Sequence, residues 1–267
     1  MAAGTYSSRF FLLWTLTRRE IAARYRGSVL GVLWALVTPL LMLGVYTLVF
    51  GFVFKARWGG TPLIAAENNA GFSLMLFSGL LLHGWFSEIL MGAPALVLSN
   101  SNYVKRVVFP LPVLMPVLVG RAGFQFLVGL AVLFAGMFWI MGSIPWTALY
   151  VPVVLLPFVV LMLGVGWWLA SLGVYLRDIA QLMSVLTTIL LFLSTIFYPA
   201  EALPELVRDY VYFNPLSYIV DELRRVTLWG QVPLWSVWLK YLAVSILVAI
   251  SGYVWFRKTQ RGFADVL

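Results

Sequence analysis

The sequence predicts an all-α protein that crosses a lipid bilayer several times, and three observations carry that prediction. Of its 267 residues, 62% are hydrophobic and only 10% charged, too little charge to cover the surface of a soluble protein of this size. The apolar residues gather in long runs, each comparable with the roughly 20 residues a helix needs to span the hydrocarbon core. The charges fall mainly between those runs.

Residues 1–27 precede the first run. Phe10, Phe11, Leu13, Trp14, Leu16 and Ile21 are interleaved with and followed by Arg18, Arg19, Arg24 and Arg26, so residues 6–25 predict an amphipathic helix lying in the membrane interface. Arginines rather than a small-residue cleavage site follow the apolar patch, unlike a signal peptide. The arginines either anchor topology or meet a substrate, and the pattern leaves both readings open.

Residues 28–54 carry no charge and form the first predicted span, closed by Lys55 and Arg57. Residues 71–93 form the second, containing only His83 and Glu88 as ionisable groups. From Arg106 to Arg177 the sole charge is Arg121, and the break Gly142-Ser143-Ile144-Pro145 divides the interval into a third span at 112–141 and a fourth at 147–172. Residues 179–198 make the fifth and 239–256 the sixth. The chain thus reads as one transmembrane domain: interface helix 1–27, spans one to five within 28–198, a polar connection 199–238, span six, and a tail at 257–267.

The connection 199–238 holds two short helical patterns, "LPELVRDYVYF" and "NPLSYIVDELRRVTLWG", each too short and too charged to span. Asn214-Pro215 separates them, since proline restricts the residue before it and lacks the amide proton a helix interior needs. Backbone outside a spanning helix survives at membrane depth only where protein or water covers it. This segment is expected at the outer surface, re-entrant or flat, with Asn214 and Pro215 at an outer gate.

An even number of spans puts both termini on one side. With the termini inside, Lys and Arg are in excess over acids in the inner segments, while Glu67, Glu201, Glu205, Asp209, Asp221 and Glu222 balance the outer ones. The formal charge of +8 is then almost wholly cytoplasmic, as the positive-inside rule requires.

The sequence also excludes chemistries. No G-x-x-x-x-G-K-[ST] loop occurs to cradle a nucleotide. One histidine and no cysteine cannot build a metal cluster. His83 and Glu88 lie five apart, on helix faces too different for a catalytic dyad, so no catalytic residue and no metal ligand is predicted. Ion-coupled carriers need ionisable groups at membrane depth, and only His83, Glu88 and Arg121 qualify. Glu88 and Arg121 are expected to pair across adjacent helices.

The stretch "RYRGSVLGVLWALVTPLL" resembles the first-span signature of the permease subunits of type-2 ATP-binding-cassette (ABC-2) exporters, in particular those that export polysaccharides. Three more stretches match in order: "SNYVKRVVFP", similar to the family's cytoplasmic coupling segment, "YLRDI" before span five, and "NPLSYIVDELRR" before the last span. The resemblance covers essentially the whole chain. It implies a homodimer seated on two copies of a separate ATPase that carries Mg-ATP, with no cofactor in this chain. It implies a bacterial inner-membrane location with both termini cytoplasmic, and a lipid-linked glycan as cargo, such as O antigen on undecaprenyl diphosphate, capsule or teichoic acid. Membrane lipids are partners and nucleic acid is not.

Under that resemblance the residues take roles. Arg18, Arg19, Arg24 and Arg26 would draw the lipid pyrophosphate, because guanidinium binds phosphate through paired hydrogen bonds. Gly27 and Gly31, spaced G-x-x-x-G, would allow another backbone to approach. Asn102, Tyr103, Lys105, Arg106 and Phe109 would couple to the ATPase, with Asn100-Ser101-Asn102 offering helix caps. Tyr46, Phe50 and Phe54 recur every four residues and so share a helix face; with Phe192, Phe197 and Tyr198 they would line a glycan path, since aromatic faces stack weakly on sugar rings. Aromatics at membrane ends are also the ordinary interface belt, and both readings stay open. The rival functions are an ABC-2 permease for a drug or lipid, and a secondary carrier driven by ions.

Overall fold

The computed structural model describes residues 2–53, 69–105 and 109–266. Phe54 and Arg106, expected in the path and the coupling segment, lie outside the described residues. All the regular structure within them is helical.

The first helix, α1 (Ala2–Arg24), leads into a corner at residues 25–30. Gly27 and Gly31 have φ of 84° and 52°, a left-handed backbone that side chains with a Cβ disfavour. A Cβ on either would meet nothing within 4 Å. The two glycines therefore turn the chain into the first span; they do not seat a neighbouring backbone of this chain as the G-x-x-x-G spacing suggested. α1 also departs from a clean two-faced helix. Phe11, Trp14 and Arg18 lie on its exposed side, whereas Leu13, Leu16, Thr17 and Glu20 are partly covered, so apolar groups occupy both faces.

Five helical segments are long and apolar enough to cross a membrane: Gly31–Phe50, Gly71–Gly92, Leu111–Met141, Trp146–Tyr175 and Trp235–Val266. Their α-helical cores are α2 (Trp34–Tyr46), α3 (Asn69–Gly92), α5 (Leu114–Met141), α6 (Val151–Tyr175) and α10 (Trp235–Thr259), with the short α4 (Ser101–Lys105) between α3 and α5. The first ends in a π-helical stretch, Thr47–Val53. Helix α5 stops where Gly142 adopts φ 73° and donates its amide to the Phe138 carbonyl, a left-handed C-terminal stop, at the break the sequence marks.

The expected fifth span differs. Helix α7 (Ile179–Phe192) has 14 residues, about 21 Å at 1.5 Å per residue, and the chain leaves the helix before 198. Residues 193–199 turn, and the short helix α8 (Glu205–Arg208) and a 3₁₀ turn at Asp209–Phe213 lead to α9 (Pro215–Thr227). Ending a helix early leaves carbonyls without intrahelical donors. Asn214 supplies two of the missing donors: its Nδ2 donates to the Leu190 and Leu193 carbonyls at 2.8 and 3.2 Å, while its Oδ1 accepts from the Leu216 amide at 3.0 Å and caps α9. The Ser194 and Tyr198 hydroxyls donate to the Leu191 and Phe192 carbonyls, each at 2.7 Å, and Arg224 serves the turn that follows, donating to the Thr195 carbonyl at 2.6 Å and the Ile196 carbonyl at 2.9 Å. Its Nε and Nη2 also reach the Met75 carbonyl of α3 at 3.1 and 2.8 Å.

That bonding explains why α9 does not lie flat on a surface. Leu216, Ile219, Val220, Leu223 and Val226 are buried against α3 and α6, and Arg224 has no exposed surface. The expected re-entrant segment is a plug of protein core, joined to α10 through the Tyr241 hydroxyl, which donates to the Pro215 carbonyl at 3.0 Å.

α3 is the axis of the bundle, packed by α2, α5, α6, α7 and α9. Trp85 stacks on Phe126 at 4.6 Å and meets Phe158 edge-on at 6.1 Å, tying α3 to α5 and α6. α6 and α10 pack along their lengths. There a Cβ on Gly164 would stand 2.6 Å from the Ala249 nitrogen, and one on Gly252 would collide with the Gly164 carbonyl oxygen. Helix α11 (Phe263–Val266) closes the chain.

Candidate functional site

Arg224 and α9 sit by the first turns of α3; the arginines of the N-terminal helix sit at its last turns, the opposite end of the bundle. There Arg24 Nη1 lies 2.8 and 3.0 Å from the two oxygens of Glu88 on α3. Arg121 on α5 approaches the same carboxylate at 3.3 Å and Glu20 of α1 at 3.7 Å. The expected Glu88–Arg121 pair is therefore present, but as part of a network of four charges on three helices. Arg24 engages Glu88 through one nitrogen, and its Nε and Nη2 make no hydrogen bond among the described residues. Arg18 and Arg26 are exposed and form no ion pair among the described residues.

The corner after α1 is fixed by neutral hydrogen bonds. Tyr25 donates its hydroxyl to Gln125 Oε1 at 2.7 Å, and Gln125 Nε2 donates to the Ala35 carbonyl at 3.0 Å. Burial holds the Tyr25 hydroxyl above its usual pKa, with Arg24 pulling it down and Glu88 pushing it up. His83 is bonded to the Thr187 carbonyl at 3.0 Å; it fastens α3 to α7 and pairs with no acid among the described residues.

The segment expected to couple to an ATPase meets the same end. Arg19 donates to the Tyr103 hydroxyl at 3.0 Å, and Tyr103 stacks on Phe109 at 4.4 Å. Tyr103, Val104 and Phe109 pack against a cluster containing Val97, Leu111, Val174, Phe256 and Phe263. These aromatics, expected to form an external docking set, are partly spent on joining the segment to α1 and to the chain's last helices. Asn102 is exposed. Lys105 closes α4, and its side chain lies outside the described residues. Asn100 does not cap α4 as expected: its Nδ2 turns back to the Leu96 carbonyl at 2.9 Å. α1 near Arg19 and α11 both reach this segment, so they meet it at one end of the bundle.

Of the path residues, Tyr46 lines a groove between α2, α3 and α5 of about 300 Å³, and Phe50 packs on Phe72 with ring centres 5.9 Å apart. Phe192 stacks on Phe197 at 5.6 Å, and the Tyr198 hydroxyl donates to the Phe192 carbonyl at 2.7 Å. Both aromatic sets flank α3, the first on α2 and its π-helical extension, the second around the end of α7. Asn214 and Pro215 form the cap described above, with Asn214 buried.

Sequence reasoning missed Arg224. The pattern "VDELRRV" reads as a solvated helix face, and only the early end of α7, which orphans carbonyls nearby, shows where that cation is used.

The described residues form a bundle of long apolar helices with a charged cluster and a short interhelical segment at one end, the architecture of a polytopic membrane protein. A match to the ABC-2 type transporter family covers residues 11–228, and the chain belongs to that family. It is similar to an O-antigen export system permease protein RfbA of Klebsiella pneumoniae, 25% identical over 97% of this chain and 95% of the relative. An O-antigen export system permease protein RfbA of Myxococcus xanthus is 28% identical over 95% and 94%. The polysialic acid transport protein KpsM of Escherichia coli is 26% identical over 87% and 86%.

Proposed function

We propose that this protein is the path-forming subunit of an ATP-driven exporter of a lipid-linked polysaccharide, with O antigen on undecaprenyl diphosphate as the cargo. Family membership together with similarity to polysaccharide export permeases over nearly the whole chain is the observation that carries the reading. Two copies form the path in the bacterial inner membrane, in six passes, the fifth being the short α7 with its following turn. Two copies of a separate ATPase bind Mg-ATP and dock on the end that holds α4, which is cytoplasmic along with both termini.

At that end Arg18, Arg19, Arg24 and Arg26 receive the pyrophosphate. Arg18 and Arg26 are exposed, and Arg24 keeps donors uncommitted while it holds Glu88. Tyr103 and Phe109, with Asn102, Lys105 and Arg106, pass the ATPase's movement to the chain, and the Arg19–Tyr103 hydrogen bond supports a direct link from that segment to the headgroup site. Tyr46, Phe50, Phe54, Phe192, Phe197 and Tyr198 contribute aromatic faces to the glycan path, and Asn214 and Pro215 shape its outer end.

The test is export of lipid-linked glycan from inverted vesicles containing the chain and its ATPase. Substituting Gln at both Arg24 and Arg26 is expected to lower export about tenfold or more while assembly persists, given the strength of charge-assisted phosphate bonds. Export driven without a nucleotide-hydrolysing partner would overturn the reading.

A further inference from the structure

The Arg24–Glu88 pair stands between two spaces of different character. On one side is an open vestibule of about 670 Å³ whose wall carries Glu20, Arg24, Glu88 and Arg121 beside Ala23 and Met91. On the other is the groove of about 300 Å³, which begins at the same Arg24 and Glu88 and continues along Met42, Tyr46, Phe77 and Leu81. The groove is thus apolar along the spans and charged at its mouth. Gly84 sits on its wall, exposed, with nothing within 4 Å of a Cβ built there.

We propose that this groove seats the hydrocarbon chain of a single-chain anionic amphiphile whose phosphate lies in the vestibule, and that Glu88 is the carboxylate the phosphate must displace. Charge complementarity identifies the occupant. Arg18, Arg19, Arg24, Arg26 and Arg121 outnumber Glu20 and Glu88 at this end, leaving a net cationic mouth on an apolar slot. A neutral lipid would leave that charge unanswered, and a free phosphate would leave the slot unused.

The pair geometry suits exchange. Arg24 binds both Glu88 oxygens from one nitrogen, whereas a guanidinium holds phosphate best through two parallel N–H bonds. The side chains of Arg24 and Glu88 keep 41% and 22% of their surface exposed, and ion pairs so open to water contribute little to stability. Glu88 therefore acts as a resident competitor. It keeps the mouth closed to weak anions and yields to one whose tail adds the burial of several methylenes. The inference rests on the proposed headgroup role of the arginines and adds the seat for the tail.

The experiment measures binding of hexadecyl phosphate, hexadecanol and inorganic pyrophosphate to the full chain by native mass spectrometry, beside glycan export. Hexadecyl phosphate is expected to bind more tightly than either other probe. Gly84→Leu, which fills the groove with a residue that favours helix more than glycine does, is expected to weaken hexadecyl phosphate about tenfold or more and to leave pyrophosphate unchanged. Glu88→Gln is expected to tighten hexadecyl phosphate about tenfold, the scale of one charge-assisted hydrogen bond released. Unchanged hexadecyl phosphate binding in Gly84→Leu, or hexadecanol binding as tightly as the phosphate, overturns the groove. Weakened binding in Gly84→Leu with undiminished glycan export upholds the groove and instead removes the export reading of the arginine site.

Discussion

The two ends of the bundle handle arginine in opposite ways. At one end Arg24 and Arg121 share the carboxylate of Glu88, and all three side chains remain partly open to water. At the other Arg224 is wholly buried and spends its donors on main-chain carbonyls of Met75, Thr195 and Ile196, with Asp221 3.7 Å away. A carboxylate partner can be exchanged for another anion. The Thr195 and Ile196 carbonyls lie in a turn outside any helix and have no other donor among the described residues, which an apolar surrounding penalises. The first arrangement suits a site that must open, and the second suits a joint.

Breaking the joint should have the largest effect. Arg224→Met would remove a donor from each of three carbonyls and leave Asp221 without its cation, and an unfolding loss of about 3–5 kcal/mol is expected, the scale for one member of a buried pair. Thermal unfolding of the detergent-solubilised protein measures it. Arg224→Lys should rescue little, because one ammonium cannot reproduce a planar fork that reaches α3 and the 193–199 turn together. Next comes Asn214→Ala, expected to cost about 2 kcal/mol by losing a cap and two carbonyl donors. Asn214→Asp keeps the cap alone, so its melting temperature should fall between wild type and Asn214→Ala.

At the opposite end Glu88→Gln should change stability by less than about 1 kcal/mol, as exposed pairs do. A loss as large as that of Arg224→Met would erase the contrast. The last test concerns pH. Burial pushes the Asp221 carboxyl up to about 6, against the pull of Arg224 and of its hydrogen bonds from Thr195 and Tyr212. With the folded value above the unfolded one, the native state takes up the proton more readily. That contribution is present in full below the unfolded value near 4 and is lost as pH rises through about 6. Melting temperature should therefore show a shallow component falling between pH 4 and 6 that is absent in Asp221→Asn.

Most of the helices were legible because hydrophobic runs and their breaks are local. The Gly142–Pro145 break, Asn214-Pro215 and the limits of α3 and α5 all fall within a few residues of where composition puts them. The end of α7 was not legible. Nothing in "LLFLSTIFYP" stops a helix until Pro199, and the turn after Phe192 exists because Asn214 and Arg224, more than 20 residues onward, supply donors for it. The same holds for Tyr103 and Phe109. Their apolar character was readable, but which surface they meet is decided by Phe263 and Arg19, far away in sequence. Gly27 and Gly31 show the converse, a recognisable spacing with a different physical cause, because left-handed backbone and close approach select the same residue.

The crossing of α6 and α10 constrains how the molecule can work. With two glycines placing one main chain directly against another, there is no side-chain cushion to deform, and sliding either rod would drive atoms together at once. Those two helices must travel as a single strut. Any widening during a transport cycle is left to the sparsely clasped members, the first span and the short α7.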